Sequence, residues 1–473
     1  GWCQTFPQPG GSWFEGGPRS FRSANGDDTL ALVHHLGLQD DLLYADRKLA
    51  ASRFVVLQGK LLKVGPFAAL RQVGLWNLLC EPFVRRKLHS EDDDESVYDF
   101  AARRFGTGLA TLLSAILAGI YAGDAKQLSI QSVFPIFAEL EDRFGSVLLG
   151  GMLKLITALP KGIARLMRRL CSPRRPVLAA EAFAKKVKRK SAVFSFKGGM
   201  GQLPQGLAEH IKGDKYLNCS VKSLDLPGPS CTGPKVIVYA IDGQNTPLEF
   251  RADHVISALP ACALVDVLRA SKLHSAAPGT DPTQALTDCA ATLQAIPFSS
   301  VAAVGFGLKA DSVLWPKSSD GFGYLIPPSE GADILGTLME SRTFPEAQPK
   351  SLTRITVMIG QEAHLREGED HLVEVAQKSL ERYLGLCFRT GQSTVGVPFS
   401  PLWVKVAVQR SCIPQYTLGH KKRVRLLKEA FASSLPQMTL VGHSYQGVGV
   451  NDTIRLSKEA VLALKEKWGP TGR

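Results

Sequence analysis

The sequence lacks several features that would each indicate a particular class of protein. Its nine cysteines form no C-x-x-C pair and their number is odd, which argues against a disulfide framework or a zinc cluster. No run of 18 apolar residues occurs, so we expect no transmembrane helix. Neither a G-x-G-x-x-G turn nor a Walker motif is present, and no Ser-His-Asp or Cys-His set indicates nucleophilic catalysis.

The composition is that of a folded protein. Of the 473 residues, 45% are hydrophobic and 21% are charged, which predicts two or three globular domains with a sizeable core. The formal net charge is +13, and most of it lies between residues 154 and 190, where Glu181 is the single acidic residue. This local excess of Lys and Arg favours an anionic surface or ligand.

Strand and helix patterns alternate along the chain. Ser96 begins a helix that Asp99 supports and Gly106 ends, and helical sequence continues to about residue 170 with breaks near Pro135 and Pro160. Strands are predicted at Lys235–Ala240, Leu248–Leu259, Val301–Leu308 and Ile355–Ile359, and helices at Thr29–Leu36, at His371–Leu384 and from Asn451-Asp452 onwards. These patterns predict an α/β or α+β fold with a separate helical insertion.

Residue patterns alone leave the cofactor open, but six motifs occur together in a recognisable order. They are Glu15–Arg19, Glu95–Gly106, Lys197–Pro204, Asp253–Pro260, Ile413–His420 (I-P-Q-Y-T-L-G-H) and Gly447–Asp452. In this order they resemble the motifs of the protoporphyrinogen oxidases, which are FAD-dependent enzymes of haem synthesis. The Ile413–His420 motif is the most specific, whereas Lys197–Pro204 and Asp253–Pro260 are shared across the flavin amine oxidases.

The resemblance implies a fold with three parts, whose segments interleave along the chain. An FAD-binding Rossmann-like domain of the flavin amine oxidase type covers residues 1–50, 191–265 and 401–473. A mixed-sheet substrate domain covers 51–65 and 266–400, and a helical membrane-facing insertion covers 66–190. In the family a βαβ unit with the G-x-G-x-x-G turn precedes a Gly-Gly-Trp, whose end Gly1-Trp2 resembles. We therefore expect this unit to be missing and FAD binding by this chain to be weak, because that unit holds the pyrophosphate.

The resemblance also implies a set of residues that contact non-covalently bound FAD. They are Trp2, Gly17, Pro18, Arg19, Ser20, Val221, His443, Val448, Gly449 and Val450. Asp452 is interpreted as the N-cap of the last helix, whose positive end would stabilise an anionic reduced flavin. Cys412 is interpreted as an inert buried thiol rather than as a covalent flavin attachment.

The implied substrate is protoporphyrinogen IX, an apolar tetrapyrrole that carries two propionates. The implied slot is lined by Phe322, Gly323, Leu325, Leu338 and Met358, with Arg53 as the partner of a propionate. Three rounds of hydride transfer from methylene bridges to the flavin, followed by reoxidation by O2, would remove six electrons and form three H2O2. No side chain is assigned as an acid or a base, and no metal is expected.

The resemblance places the protein peripherally on the mitochondrial inner membrane, as a homodimer that associates with ferrochelatase. The sequence supports a membrane surface as partner, because Ile163, Leu166, Met167 and Leu170 form one helical stripe flanked by arginines. Three alternatives stay open. In the first, the chain is a different flavoenzyme, such as an amine oxidase or a carotenoid desaturase. In the second it is an inactive fragment, and in the third it binds nucleic acid through its basic stretch. Nucleic acid is disfavoured because no known binding module occurs.

Overall fold

A computed structural model of the chain describes residues 1–65, 70, 72–90, 92–157, 179–229, 235–275, 279, 281–310, 320–386 and 400–469. The chain divides into two compact units. Unit 1 comprises Gly1–His89, Glu95–His210 and Ser299–Cys412, and unit 2 comprises Ser90–Asp94, Ile211–Phe298 and Ile413–Arg473.

The described residues combine many short strands with helices of very different lengths. The strands are β1 (Thr5–Gln8), β2 (Ser12–Glu15), β3 (Phe21–Arg22), β4 (Leu42–Tyr44), β5 (Arg53–Leu57), β6 (Lys60–Val64), β7 (Val193–Phe196), β8 (Ser220–Leu226), β9 (Val236–Ile241), β10 (Pro247–Ala252), β11 (Val255–Ser257), β12 (Lys272–Leu273), β13 (Phe298–Lys309), β14 (Gly323–Leu325), β15 (Gly336–Leu338), β16 (Leu352–Ile359), β17 (Trp403–Pro414) and β18 (Met438–Leu440). The helices are α1 (Asp27–His35), α2 (Arg47–Ala51), α3 (Leu75–Cys80), α4 (Val97–Phe105), α5 (Thr107–Tyr121), α6 (Ile130–Val133), α7 (Pro135–Phe144), α8 (Ala179–Lys190), α9 (Gln202–His210), α10 (Ala261–Arg269), α11 (Pro282–Gln294), α12 (Glu340–Thr343), α13 (Glu362–Arg366), α14 (Glu369–Leu384), α15 (His420–Ser434) and α16 (Val450–Trp468). Residues 147–157 are also helical.

Unit 1 is built on a mixed seven-stranded sheet with the order β17-β13-β16-β15-β14-β5-β6. Side chains alternate between the two faces of a strand, so Ile355 and Val357 of β16 share one face, which we call the core face. They pack with Leu372 and Leu380 of α14 in a fully buried apolar cluster. The predicted strands Val301–Leu308 and Ile355–Ile359 and the predicted helix His371–Leu384 are therefore confirmed.

The helical part of unit 1 begins as the sequence predicts. The Ser96 hydroxyl accepts a hydrogen bond from the Asp99 amide at 3.0 Å, and Gly106 follows the last residue of α4. Pro135 is the first residue of α7, after a break at Phe134, because its ring fits the first helical turn, where an amide donor is not needed.

A buried ionic cluster joins the loop before α4 to α4 and α7. Both ring nitrogens of His89 face carboxylates, at 2.9 Å from Asp142 and 3.3 Å from Glu95. Arg103 forms ion pairs with Glu95 and Glu141, so a guanidinium balances the acidic groups. Burial opposes the charged form of His89, but the hydrogen bonds to Glu95 and Asp142 hold the pKa of His89 above its usual range.

The basic segment 154–190 is described only in part. The predicted amphipathic stripe of Ile163, Leu166, Met167 and Leu170, with Arg165, Arg168 and Arg169, lies outside the described residues, as does Pro160. In α8, which packs against α1, Ala184 and Val187 are buried. Lys188 of α8 pairs with Asp27 at 2.6 Å.

Unit 2 contains a four-stranded sheet, β10-β9-β8-β12, and a parallel pair, β11 and β18. The predicted strand Lys235–Ala240 and the start of the predicted strand Leu248–Leu259 correspond to β9 and β10. These strands pair antiparallel around a turn in which Asp242 accepts amide hydrogen bonds from Gln244 and Thr246. Apolar residues of α10, α11 and α15 form one core with β8 and β9. Across the described ranges of the chain, no helix has both the length and the apolar character needed to cross a bilayer.

Candidate flavin and substrate site

The first segment predicted to contact the flavin begins at Trp2 and returns at Gly17. The structure brings these two residues together, because a Cβ atom at Gly17 would lie 1.8 Å from the Trp2 carbonyl oxygen. Only glycine permits this close approach of two backbone segments. The strands β1 and β2 pair as a hairpin between them, with Thr5 opposite Glu15.

Arg19 organises this turn from within. Its Nε lies 3.0 Å from Glu340 Oε1, and its Nη1 and Nη2 donate to the carbonyl oxygens of Gly17 and Glu15 at 2.9 and 3.1 Å. These contacts give Arg19 a structural role that the sequence did not predict. A contact between Arg19 and a cofactor phosphate stays a prediction, as do the contacts of Pro18 and Ser20; the Ser195 hydroxyl donates to the Arg19 carbonyl at 2.9 Å.

Two motifs that are far apart in sequence meet at Glu15. This buried carboxylate accepts hydrogen bonds from the Thr5 hydroxyl at 2.8 Å, the Trp13 indole at 3.1 Å and the Met200 amide at 2.8 Å. Burial raises the pKa of Glu15 above its usual range, against the opposing effect of these donors. The Glu15–Arg19 turn is thereby held against the glycine-rich Lys197–Gly201 turn before α9.

Five of the six residues predicted to contact the substrate lie in two neighbouring cross-strand rows of the seven-stranded sheet, whereas Phe322 precedes β14. The first row runs through Arg53, Gly323, Leu338 and Thr356, and the second through Val55, Leu325, Gly336 and Met358. Paired residues project from the same side of a sheet, and residues two apart on a strand do too. We call this side, opposite the core face, the site face.

The site face is bounded by apolar groups at two ends. Val55 and Leu325 pack with Leu112 and Ala115 of α5. Met358 packs with the cluster that contains Phe14 and Trp403. Leu325, Leu338 and Met358 stay half-buried, so the face between these ends is apolar but not closed.

Gly323 is required by the sheet itself. Its φ is +150°, and a Cβ atom there would lie 2.2 Å from the Thr337 carbonyl oxygen on the neighbouring strand. A side chain would therefore disrupt the pairing of β14 with β15. The backbone reason for this glycine was not visible in the sequence.

Arg53 and Phe322 stand together at the edge of the first row. The Arg53 guanidinium carbon lies 5.3 Å from the centre of the Phe322 ring, within cation–π range. Arg53 as a whole is exposed, but partial desolvation of its guanidinium, together with the charge of Arg22, lowers the pKa of Arg53 from its ordinary value. An anion bound here would relieve this electrostatic cost, which fits the predicted propionate partner.

Glu340, which the sequence did not single out, joins the two predicted sites. Its Oε1 accepts hydrogen bonds from the Thr356 hydroxyl at 2.8 Å and from Arg19 Nε at 3.0 Å. Thr356 belongs to the first row of the site face, and Arg19 belongs to the turn at Gly17. The site face and the first segment predicted to contact the flavin are therefore linked within unit 1 through one carboxylate.

The second predicted flavin segment lies in unit 2. Tyr416 and His420 stack with ring centres 4.2 Å apart; Tyr416 donates to the His443 carbonyl, and His420 Nε2 lies 3.1 Å from the Tyr445 carbonyl. Burial lowers the pKa of His420 to about 4, so the ring is neutral. The Ile413–His420 motif thus holds the backbone of residues 443–445 in place.

The last helix begins earlier than predicted. Helix α16 starts at Val450 with Gly449 as its N-cap and no side-chain capping bond, so the interpretation of Asp452 as the N-cap is wrong. Asp452 lies in the first turn, 3.7 Å from Arg455.

Two further residues predicted to contact the flavin lie apart along the chain of unit 2. Val448 directly precedes Gly449, whereas Val221 lies on β8, next to a register shift in its pairing with β9.

Cys412 is 9% exposed, and its Sγ lies 3.6 Å from the Ser299 carbonyl oxygen. Burial raises the pKa of the Cys412 thiol to about 11, so the thiolate needed for a covalent link is disfavoured.

Comparison with known proteins connects these observations. A family model described as flavin containing amine oxidoreductase matches residues 1–463. The chain belongs to the flavin-containing amine oxidoreductase family. The predicted fold class and the FAD cofactor are therefore confirmed, and the protein is an FAD-dependent oxidoreductase.

Individual proteins that are similar to this chain make the comparison more specific. Protoporphyrinogen oxidase from Macaca fascicularis is 31% identical over 98% of this chain and 90% of its own length. The enzyme of that name from Dictyostelium discoideum is 28% identical over 95% of this chain and 87% of its own length. A putrescine oxidase variant aligns at a TM-score of 0.62 and 13% identity, over 99% of this chain and 91% of its own, which shows the fold alone. The resemblance to protoporphyrinogen oxidases is confirmed.

Proposed function

We propose that the protein oxidises protoporphyrinogen IX to protoporphyrin IX, with FAD as cofactor and O2 as the final acceptor. One geometric observation carries the proposal beyond the similarity to relatives of that name. Five of the six residues predicted to contact the tetrapyrrole occupy two adjacent rows of one sheet face, and Glu340 links that face to the turn predicted to contact the flavin.

The proposed work of the site face is to hold the macrocycle. Leu325, Leu338 and Met358 provide the apolar surface that such a ligand needs, since a binding site is mostly apolar with a few placed polar groups. Arg53, steadied by Phe322, would pair with a propionate at the edge of that surface. This pairing would orient the macrocycle in its own plane.

The chain's own groups fit FAD in both units. In unit 1, Trp2, Gly17, Pro18, Arg19 and Ser20 form a turn whose backbone approaches closely at Gly17. In unit 2, taken by itself, the predicted cofactor contacts are Val221, His443, Val448, Gly449 and Val450, and α16 begins at Val450 without a side-chain cap. An uncapped helix N-terminus favours negative charge. When bound, FAD supplies the hydride acceptor for the reaction.

The proposed function is tested by adding a large excess of FAD to the purified chain, because its FAD binding is expected to be weak, and following porphyrin fluorescence with protoporphyrinogen IX as substrate. We expect fluorescent porphyrin to form, and Leu338→Glu to abolish it by placing a charge on the apolar site face. The matched control is Leu217→Glu, because Leu217 is 84% exposed in unit 2, outside the sheet that carries the site face. An FAD-loaded chain that forms no porphyrin would contradict the proposal.

The same preparation tests the mode of flavin attachment. Acid precipitation should release FAD into the supernatant, because the buried Cys412 thiol does not favour a covalent bond. Flavin that stays in the protein pellet would point to covalent attachment, and Cys412→Ser would then show whether this thiol is responsible.

We also propose that the protein binds a membrane surface peripherally, partly through residues 153–190. Apolar side chains are strongly exposed nearby: Phe83 is 88%, Trp76 76% and Leu155 67% exposed. Glu81 accepts a hydrogen bond from the Val147 amide at 2.8 Å, which joins the Trp76–Phe83 region to the helical residues 147–157. Exposed apolar surface beside basic residues is typical of interfacial binding.

Sedimentation with cardiolipin-containing liposomes tests this surface. Binding should weaken with rising salt, and should weaken further when Arg165, Arg168, Arg169, Lys185, Lys186 and Lys188 are replaced by Gln. Trp76→Ser with Phe83→Ser should also reduce it, whereas Leu217→Ser, at an 84% exposed residue of unit 2, should not. Unchanged binding by all these variants would rule out this surface.

The resemblance supports finer proposals about the cell. We propose a location at the mitochondrial inner membrane, a homodimer, and association with ferrochelatase. Subcellular fractionation, sedimentation of the purified protein and co-purification with ferrochelatase test these three separately.

A further inference from the structure

Glu340 carries a buried oxygen atom that the protein does not use. The residue is 9% exposed, its Oε1 bonds to Thr356 and Arg19, and among the described residues its Oε2 has no hydrogen-bond partner. A buried carboxylate oxygen without a donor is destabilising. Such a group in a folded protein calls for a reason, and a ligand that brings a donor is one.

The position of this carboxylate suggests what the donor is. Glu340 comes two residues after Leu338, and its partner Thr356 lies directly opposite Leu338 on β16. The carboxylate therefore lies at the end of the site-face row that begins at Arg53. Its other partner, Arg19, belongs to the turn predicted to contact the flavin, so the carboxylate joins the substrate surface to the cofactor segment within unit 1.

The charges around Glu340 suit a hydrogen-bond acceptor. Arg19 pairs with it at 3.0 Å, and Arg354, which is 5% exposed, also interacts with its charge. An ionised carboxylate accepts hydrogen bonds and donates none. A porphyrinogen presents pyrrole N–H groups beside the methylene carbons that lose hydride, and these are donors without an acceptor in an apolar slot.

We propose that Glu340 is a catalytic residue that accepts a pyrrole N–H hydrogen bond from the bound porphyrinogen through Oε2. The inference rests on the proposed function. In the first round, the methylene C–H bond breaks and its hydride, with both electrons, goes to the flavin oxidant. The N–H bond breaks as well, its electron pair stays in the new conjugated system, and the proton goes to Oε2. The macrocycle thus loses one hydride and one proton, and two electrons in all.

With this assignment, Glu340 provides a negative charge and a proton acceptor, which the apolar side chains of the site face lack. Loss of hydride leaves positive charge on the macrocycle, and a fixed carboxylate beside it stabilises that charge as it develops. The proton then has an acceptor within the site, so no water is needed there. General base catalysis by a positioned group typically contributes about 10²–10⁴-fold in rate.

The test is Glu340→Gln, which keeps the size of the side chain but removes its charge and its capacity to take the proton. We expect kcat of the FAD-loaded protein to fall by about 10²-fold or more, with KM changed much less. Glu340→Asp should restore part of kcat. Binding of protoporphyrin IX, which keeps pyrrole N–H groups, is read by porphyrin fluorescence and should weaken in Glu340→Gln without FAD.

Thr356→Val is the matched control, because it removes a partner of Oε1 and leaves Oε2 intact. It should lower the melting temperature but reduce kcat far less than Glu340→Gln does. A Glu340→Gln protein with wild-type kcat would overturn the inference while the proposed function stands. A wild-type protein that neither binds porphyrin nor oxidises the substrate would overturn the proposed function and the inference together.

Discussion

The two faces of the seven-stranded sheet use the same strands for different purposes. On the core face, Ile355 and Val357 are fully buried among apolar side chains of α14. On the site face, the neighbours of these residues along β16 are Arg354, Thr356 and Met358, which carry a charge, a hydroxyl and a flexible thioether. Strict alternation along a strand allows one β-strand to serve a rigid core and a polar site at once.

The two faces differ in whether they contain charged groups that are removed from water. The site face includes buried charged groups, and burial lowers the pKa of Arg354 from its usual value. Such groups are destabilising unless they are paired. The core face opposite is mostly apolar, with the hydroxyls of Tyr324 and Thr337 as polar groups, and its packing stabilises the sheet that holds the charged groups. Residues on the two faces should therefore respond differently to substitution.

The largest effect is expected on the core face. Ile355→Ala should lower the free energy of unfolding by about 2–5 kcal/mol, because it removes buried methyl groups and leaves a cavity. Met358→Leu on the site face conserves volume and should cost less than about 1.5 kcal/mol. Urea unfolding measures the free energy of unfolding of both variants. An equal loss of this free energy in the two variants would contradict the proposed difference between the faces.

A smaller effect is expected at Arg53, and it should appear in substrate binding instead of stability. Arg53→Ala in the FAD-loaded protein should raise KM for protoporphyrinogen IX by about 10- to 100-fold, since a hydrogen bond to a charged group contributes roughly 1.5–3 kcal/mol. The value of kcat should fall less. Lys63→Ala is the control, because it removes an exposed positive charge from the neighbouring strand β6. A wild-type KM in Arg53→Ala would show that Arg53 does not pair with a propionate.

The smallest effect is expected in the ionic cluster of the helical part, where charges are paired instead of placed beside a ligand surface. The raised pKa of His89 means that its contribution to stability is fully present below its unfolded pKa, about 6.5, and is lost as pH rises through the folded value. His89→Gln should therefore lower the melting temperature by a few degrees at pH 6 and by less at pH 9, at roughly 2–4 °C per kcal/mol.

His35→Gln, at an exposed histidine, serves as the control for this pH dependence. Its melting temperature should follow that of the wild-type protein at every pH. A loss in His89→Gln that grows towards high pH would show that the imidazole is not stabilised in its charged form.

The sequence determined most of what depends on neighbours along the chain. The Ser96 cap, the end of α4 at Gly106, the start of α7 at Pro135 and the alternation in β16 follow from local hydrogen bonding and side-chain periodicity. The family resemblance also predicted Arg53, Phe322, Gly323, Leu325, Leu338 and Met358 as substrate contacts, and this assignment stays a prediction. The first residue of α16 was misjudged, because Asp452 is a frequent N-cap residue but also fits the first turn of a helix.

Only the tertiary structure decided how distant residues combine. The pairing of Arg19 with Glu340 joins residues 321 positions apart, and no local periodicity encodes such a contact. The rows of the site face depend on the register between β5, β14, β15 and β16, which is set by packing on both sides of the sheet. The unused oxygen of Glu340 is visible only when every donor around it has been placed, because satisfaction of a buried group is a property of its surroundings and not of its sequence.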